Sequence, residues 1–253
     1  MAIDDSIDAV KAQVPGEPTV TRLLDITLDL AGVIFPPATI AAILKRHFSE
    51  KAARERIDLL LSTIAQILKK DQREIEKDQR QIAEMRSRLD SPGFVEALVL
   101  AVEQSAYRTF SESKVRRFAS VLANFAIRSD LDWDRAAAFI RDVSEISEDD
   151  IKVLTVLYRV FGDMMTGSHE DYRVVPFPQK FTERRKGLYD AAREQGYSDE
   201  DFESNCERLR GLGLVCLVAY HDSTFFPAQV HAISECFRPT KRGMELLSLL
   251  GVR

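Results

Sequence analysis

The stretch Asp199–Val215, DEDFESNCERLRGLGLV, decides how the C-terminal half is read. Just upstream, Leu188–Ser198 (LYDAAREQGYS) has the look of a short helix, a glycine turn at Gly196 and a serine cap at Ser198. Downstream, the apolar run Leu214–Tyr220 and the shorter run Glu235–Arg238 read as strands. Gly211-Leu212-Gly213 is the turn into the first of them, and Thr240-Lys241-Arg242-Gly243 opens a last helix. The expected order is helix, turn, helix, two-stranded wing, helix, which is that of a winged-helix module. In a DNA reader the second helix of such a module meets phosphates and base edges, so it is neutral or basic. Here Asp199, Glu200, Asp201, Glu203 and Glu207 oppose only Arg208 and Arg210, five charges minus two, a net of −3 over residues 199–210. The architecture of a groove reader is combined with a surface that phosphates repel. The expectation is contact with polypeptide, with Asp199, Glu200, Asp201 and Glu203 as the polar contact face.

The whole chain points the same way. Its 253 residues suffice for one large or two modest domains with a real core. A net charge of −5 gives no global field that would draw in nucleic acid or anionic lipid. The short basic clusters Lys45-Arg46, Arg184-Arg185-Lys186 and Lys241-Arg242 read first as solvated surface. A rival reading makes the protein a transcriptional regulator that meets DNA through Arg184, Arg185, Lys186, Lys241 and Arg242. Three scattered cysteines, Cys206, Cys216 and Cys236, make no disulfide framework, and the acidic start Met1–Asp8 is unlike a secretory leader. The expected location is the cytoplasm.

Leu30–Leu44, LAGVIFPPATIAAIL, carries no charge over fifteen residues. A spanning helix needs roughly 20, and Pro36-Pro37 interrupts this one. Two core helices meeting at a turn account for it. A hairpin that enters a membrane when triggered is the other reading, that of a membrane-active effector.

Residues 1–18, ending in Pro15-Gly16-Glu17-Pro18, are expected to be a flexible arm, followed by a helical region over 19–145 and the winged-helix-like module over 146–253. A helix starting after the proline pair is expected to run to Leu89. Leu61, Leu68, Ile75, Ile82 and Leu89 fall seven apart, and Ile57, Ile64, Asp71, Asp78 and Met85 stand four residues earlier. This is a heptad seam, apolar at both ends and polar in the middle. Over 57–89 it would extend about 50 Å. It fits either a coiled-coil-like arm that self-associates, as in a homodimer, or an amphipathic helix packed on its own bundle. Further on, Ser91-Pro92-Gly93 stops the helix, Ser111 caps the stripe Val115, Phe118, Ala119, Leu122, Phe125 and Ala126, and a short helix ends near Val143. Ser147-Glu148-Asp149-Asp150 caps a helix that reaches about Phe161, and Gly162–Pro178 reads as a linker.

Chemistry-bearing motifs are sparse. No phosphate loop, dinucleotide fingerprint, zinc-protease helix or nucleophile elbow occurs. Cys216, His221, His231 and Cys236 are symmetric about residue 226, so a hairpin centred there would pair the cysteines and the histidines. However, Cys216 and His221 are an odd step apart and face opposite sides of a regular strand, which argues against zinc. His169-Glu170-Asp171, on the linker loop, could be catalytic but reads first as a solvated loop, and His47, near a basic stretch, has no evident partner. The expectation is a non-enzymatic protein with no metal and no cofactor.

Several segments resemble the bacterial abortive-infection alpha type of proteins, associated with phage defence. They are Ala119-x3-Ala123-Asn124; Ile146-Ser147-Glu148-Asp149-Asp150-Ile151-x2-Leu154; Leu209-x2-Leu212-Gly213-Leu214-Val215; and Phe237-Arg238-Pro239-Thr240-x2-Gly243-x2-Leu246. The resemblance covers scattered parts of the chain from Phe94 onward and implies a setting in phage defence. It carries no catalytic residues. Together these readings predict a mainly α-helical protein with a small β-hairpin, working by protein–protein interaction.

Overall fold

The computed structural model describes residues 51–75, 79–109, 111–128, 130–161, 178–220 and 234–251. Residues 1–18, Leu30–Leu44, His47, Gly162–Phe177 with His169, and the hairpin tip with His221 and His231 lie outside the described residues. What is described is mainly helical, with one two-stranded antiparallel sheet. The chain divides into two compact units, Met1–Glu145 and Ile146–Arg253.

The first unit holds α1 (Lys51–Ile75), α2 (Gln79–Leu89), α3 (Pro92–Glu103), α4 (Glu112–Ile127) and α5 (Trp133–Glu145). Helix α4 is its centre. Val115, Phe118, Ala119, Val121, Leu122, Ala123, Phe125 and Ala126 are all buried, wider than a single stripe, because α1, α2, α3 and α5 all pack on it. At about 1.5–3 kcal/mol for each large apolar side chain removed from water, this packing holds the helix in place. Its start departs from expectation. Ser111 occupies the cap position, but its hydroxyl meets Ser113 Oγ at 2.7 Å and bonds no backbone amide of the first turn.

The heptad seam belongs to this same interior. Ile57, Leu61, Ile64 and Leu68 on α1, and Met85 and Leu89 on α2, are buried. Helix α1 packs chiefly on α4, and α2 touches α1, α3 and α4. The expected run through to Leu89 is therefore described as two helices, with residues 76–78 outside the description.

Ser91 stops α2 and starts α3, its Oγ accepting from Phe94 N at 3.3 Å. A π-helical turn, Gln104–Arg108, ends α3. Arg56 on α1 donates to its Ser105 and Ala106 carbonyls at 2.7 and 2.6 Å. Arg88 does the same for the end of α4, donating to the Phe125 and Leu131 carbonyls while lying over the Trp133 ring. Burial pulls the Arg88 pKa below its ordinary value.

The second unit runs α6 (Glu148–Phe161), α7 (Pro178–Glu194), α8 (Asp199–Gly211), β1 (Val215–Tyr220), β2 (Ser234–Pro239) and α9 (Lys241–Leu249). Helix α6 is the hub, packed on α7, α8, β2 and α9 through Ile151, Val153, Leu154, Val156, Leu157 and Phe161. The helix ahead of the Gly196 turn is longer than the short one expected, beginning at Pro178. Gly196 takes a positive φ of 86° there, a conformation that a side chain disfavours.

In the sheet, Cys216 lies opposite Arg238 and Val218 opposite Cys236. The symmetric pairing of Cys216 with Cys236 drawn from spacing is thus corrected. The hairpin is centred one residue further along, which moves each partner by two. Helix α9 closes the unit. Thr240 caps it by accepting from Gly243 N at 3.1 Å, and donates through N and Oγ1 to the Leu214 and Gly213 carbonyls. Gly243 lies so close to the Leu214 carbonyl that a Cβ would collide with it.

Candidate functional site

Helix α8 is built to present one face inward and one outward. Phe202, Cys206 and Leu209, at helical spacing, are buried, while Glu200, Glu203, Ser204 and Glu207 are exposed. Ser198 holds its start, accepting from Asp201 N at 3.1 Å and donating to Asp201 Oδ2 at 2.6 Å.

The acidic residues expected to form a contact face fare differently. Asp199 is bound by Arg193 across the Gly196 turn, through Nε at 3.0 Å and Nη2 at 2.7 Å, and Arg193 also holds Asp190 at 3.0 Å. The Asp199 hydrogen bond raises the pKa of Arg193. Asp201 is taken up in the cap. Glu203 accepts from the Tyr189 hydroxyl at 2.6 Å. Burial first, then this carboxylate, pushes the Tyr189 pKa above its ordinary value. Glu200 stands exposed, with no hydrogen bond or ion pair to any described residue. Two turns further along the same outward row, Glu207 is joined to Arg210 at 3.1 Å.

The cations of α8 are engaged as well. Arg208 turns toward α6 and donates to Asp150 Oδ1 at 2.6 Å and to Ser147 Oγ at 3.0 Å. Asp150 is fully buried and Arg208 is 48% exposed. Ser147 and Asp150 cap α6 reciprocally, Ser147 N donating to the carboxylate at 2.7 Å and Asp150 N to the hydroxyl at 3.1 Å. Beside them, Tyr197 donates to Asp149 Oδ1 at 3.1 Å. Lys152 and Tyr197 hold Asp149 below the usual carboxylate range, and Tyr197 itself, chiefly by burial, is pushed up to about 12.

Between α7 and α8 lies a groove of about 340 Å³, lined by Arg185, Lys186, Tyr189, Arg193, Asp199 and Glu203. Arg185 is at 5.8 Å from the Tyr189 ring centroid, and that ring meets Phe202 edge-on at 5.7 Å. Of the basic residues considered for DNA, the groove gathers Arg185 and Lys186, whereas Lys241 and Arg242 stand exposed on the first turn of α9. Arg184 is on α7, its side chain outside the description.

The remaining expected contact residues are in the first unit. Leu61, Leu68 and Leu89 are interior, Ile82 is half-buried, and the Ile75 side chain is outside the description. Sequence reasoning missed Tyr189, Arg193 and Asp150. Arg193 was within reach, since it and Asp199 flank a glycine turn; Tyr189 with Glu203, and Asp150 with Arg208, are too far apart in the chain to announce themselves.

Burial raises the pKa of all three thiols, Cys206 and Cys216 above the ordinary range and Cys236 to about 12. They are protonated at neutral pH and poor nucleophiles. Among the described residues no three His, Cys, Asp or Glu side chains converge as a metal site, and no helix is long and apolar enough to cross a membrane. No family model, curated protein or solved structure matches this chain.

Proposed function

We propose that this is a non-enzymatic protein-interaction module, winged-helix-like in its C-terminal unit, whose second helix meets polypeptide rather than DNA. The order α6, α7, turn, α8, hairpin, α9 supports the winged-helix reading. One observation carries the functional part. Both arginines of α8 are engaged by carboxylates of the same unit, Arg208 by buried Asp150 and Arg210 by Glu207, while Glu200 faces outward. A phosphate approaching this face meets carboxylates first, and each such approach is repulsive. A basic segment of a partner protein suits it. The raised thiol pKa values argue against Cys206 or Cys236 as a nucleophile. The resemblance to abortive-infection alpha proteins supplies phage defence as the setting and a bacterial cytoplasm as the place.

The test is solution mass by light scattering, measured alone, with a short random duplex, and with a lysine-rich peptide, at about 50 mM salt, where phosphate contacts are strong. The expected result is a complex with the peptide that Glu200→Lys weakens, and none with the duplex. A duplex complex that dissolves steeply with added salt would instead establish the DNA-regulator reading.

A further inference from the structure

The α7–α8 groove offers chemistry that a protein-contact face on α8 does not use. Its lining carries three cations and two carboxylates, a local surplus of positive charge in a chain whose net charge is −5. The carboxylates are already matched within the groove, Asp199 by Arg193 and Glu203 by the Tyr189 hydroxyl. Arg185 and Lys186, both exposed, have no carboxylate among the described residues.

Arg185 is also held. Its guanidinium lies near the ring of Tyr189, which is itself fixed between Glu203 and Phe202. A guanidinium kept against an aromatic ring retains N–H donors for a carboxylate or phosphate, with less rotamer freedom left to lose. Asp199 on Arg193 shows that a two-pronged arginine–carboxylate contact fits this groove.

We propose that the groove is a ligand site for a small oxyanion, a carboxylate or a phosphate, received by Arg185 and Lys186 beside Tyr189. The volume of about 340 Å³ matches the lower end of small-molecule sites. Size also separates this ligand from nucleic acid. Asp199 and Glu203 line the groove beside the cations, so a single anion reaches Arg185 and Lys186 while a polyanion must pass the carboxylates as well. The inference is independent of which macromolecule α8 contacts.

The experiment is an amide NMR titration of the full chain with inorganic phosphate and, separately, with glutarate, with chloride adjusted to keep ionic strength constant. Saturable shifts are expected at Arg185, Lys186 and Tyr189 with at least one ion. Saturation by phosphate alone assigns a phosphate-bearing ligand, and by glutarate alone a carboxylate. Arg185→Gln and Lys186→Gln each weaken binding by about tenfold, the loss of one charge-assisted contact. Arg185→Lys, which keeps the charge but not the fork, weakens it less, and Lys241→Gln on α9 leaves it unchanged. These positions are exposed, so the variants keep the parent's spectrum elsewhere. Failure of both ions to saturate by tens of millimolar, or equal binding by Arg185→Gln, overturns the proposal.

Discussion

Two regions carry the patterns that mark a surface meant for contact, the heptad seam of α1 and α2 and the acidic run of α8, and their surroundings treat them differently. The seam is covered. Ile57, Leu61, Ile64, Leu68, Met85 and Leu89 are all in the interior of the first unit, whose central helix α4 supplies the opposing surface. The acidic run is divided. Asp199, Asp201 and Glu203 are tied to α7 or to the helix cap, while Glu200 remains outward. Apolar periodicity reports that a face will be buried, not which chain buries it. A charge count along one helix omits the charges on the helix beside it, and α7 brings Arg193 to Asp199 across a single turn.

The seam gives the largest expected effect. Leu68→Ala removes a fully buried side chain and should cost about 3 kcal/mol, whereas Ile82→Ala at a half-buried site should cost about 1 kcal/mol. Denaturant unfolding followed by the fluorescence of Trp133, the sole tryptophan, reads this unit directly. If Leu68→Ala left stability unchanged and altered the solution mass, the seam would belong to an interface between chains and the comparison would break.

Next comes the anchor that orients α8. Arg208→Ala strands the buried Asp150 carboxylate, which keeps only its Ser147 donors. Breaking a buried pair costs 3–5 kcal/mol, and the half-exposed guanidinium reduces this to about 2–3 kcal/mol. Faster amide exchange confined to α6 and α8, with the Trp133 transition unmoved, is the expected result. Conversely, exchange unchanged in α6 would mean that Asp150 is satisfied by its own capping box.

The smallest effect at neutral pH is a slope that begins in alkali. Burial, aided for Tyr197 by Asp149, keeps Cys236 and Tyr197 protonated to about 12, while the ordinary values are 9.0 and 10.0. The unfolded chain releases these protons first. The contribution of these two groups to the stability of the second unit is therefore constant below about pH 9 and falls between pH 9 and 12 as pH rises. Tyr197→Phe should remove part of that fall, measured as the urea midpoint against pH. An unchanged slope would assign the fall to other groups.

Much of the second unit could be read from local signals. Ser198 and Thr240 cap helices as their positions suggest, and the apolar runs after Gly213 and before Pro239 form the paired strands. These features are set by neighbours in sequence, where capping and turn chemistry act. The sheet register was misplaced by two residues because symmetry of cysteines and histidines is not what sets it; the pairing of Val215 with Pro239 is. In the first unit the stop at Ser91-Pro92-Gly93 and the apolar stripe of α4 were legible, but Ser111 does not cap α4 through its side chain and the opposing surface for the seam could not be seen. The candidate site was half legible. Glu200 and the row of carboxylates could be seen, whereas Tyr189–Glu203 and Arg208–Asp150 depend on helices brought together by the core.

The central claim is that α8 offers phosphate no welcoming surface, and amide shifts on this helix test it most directly. Titrated with a short duplex at about 50 mM salt, Glu200, Ser204 and Glu207 should stay in place, while a lysine-rich peptide shifts all three. Saturable shifts at these positions with the duplex, erased by added salt, would contradict the account.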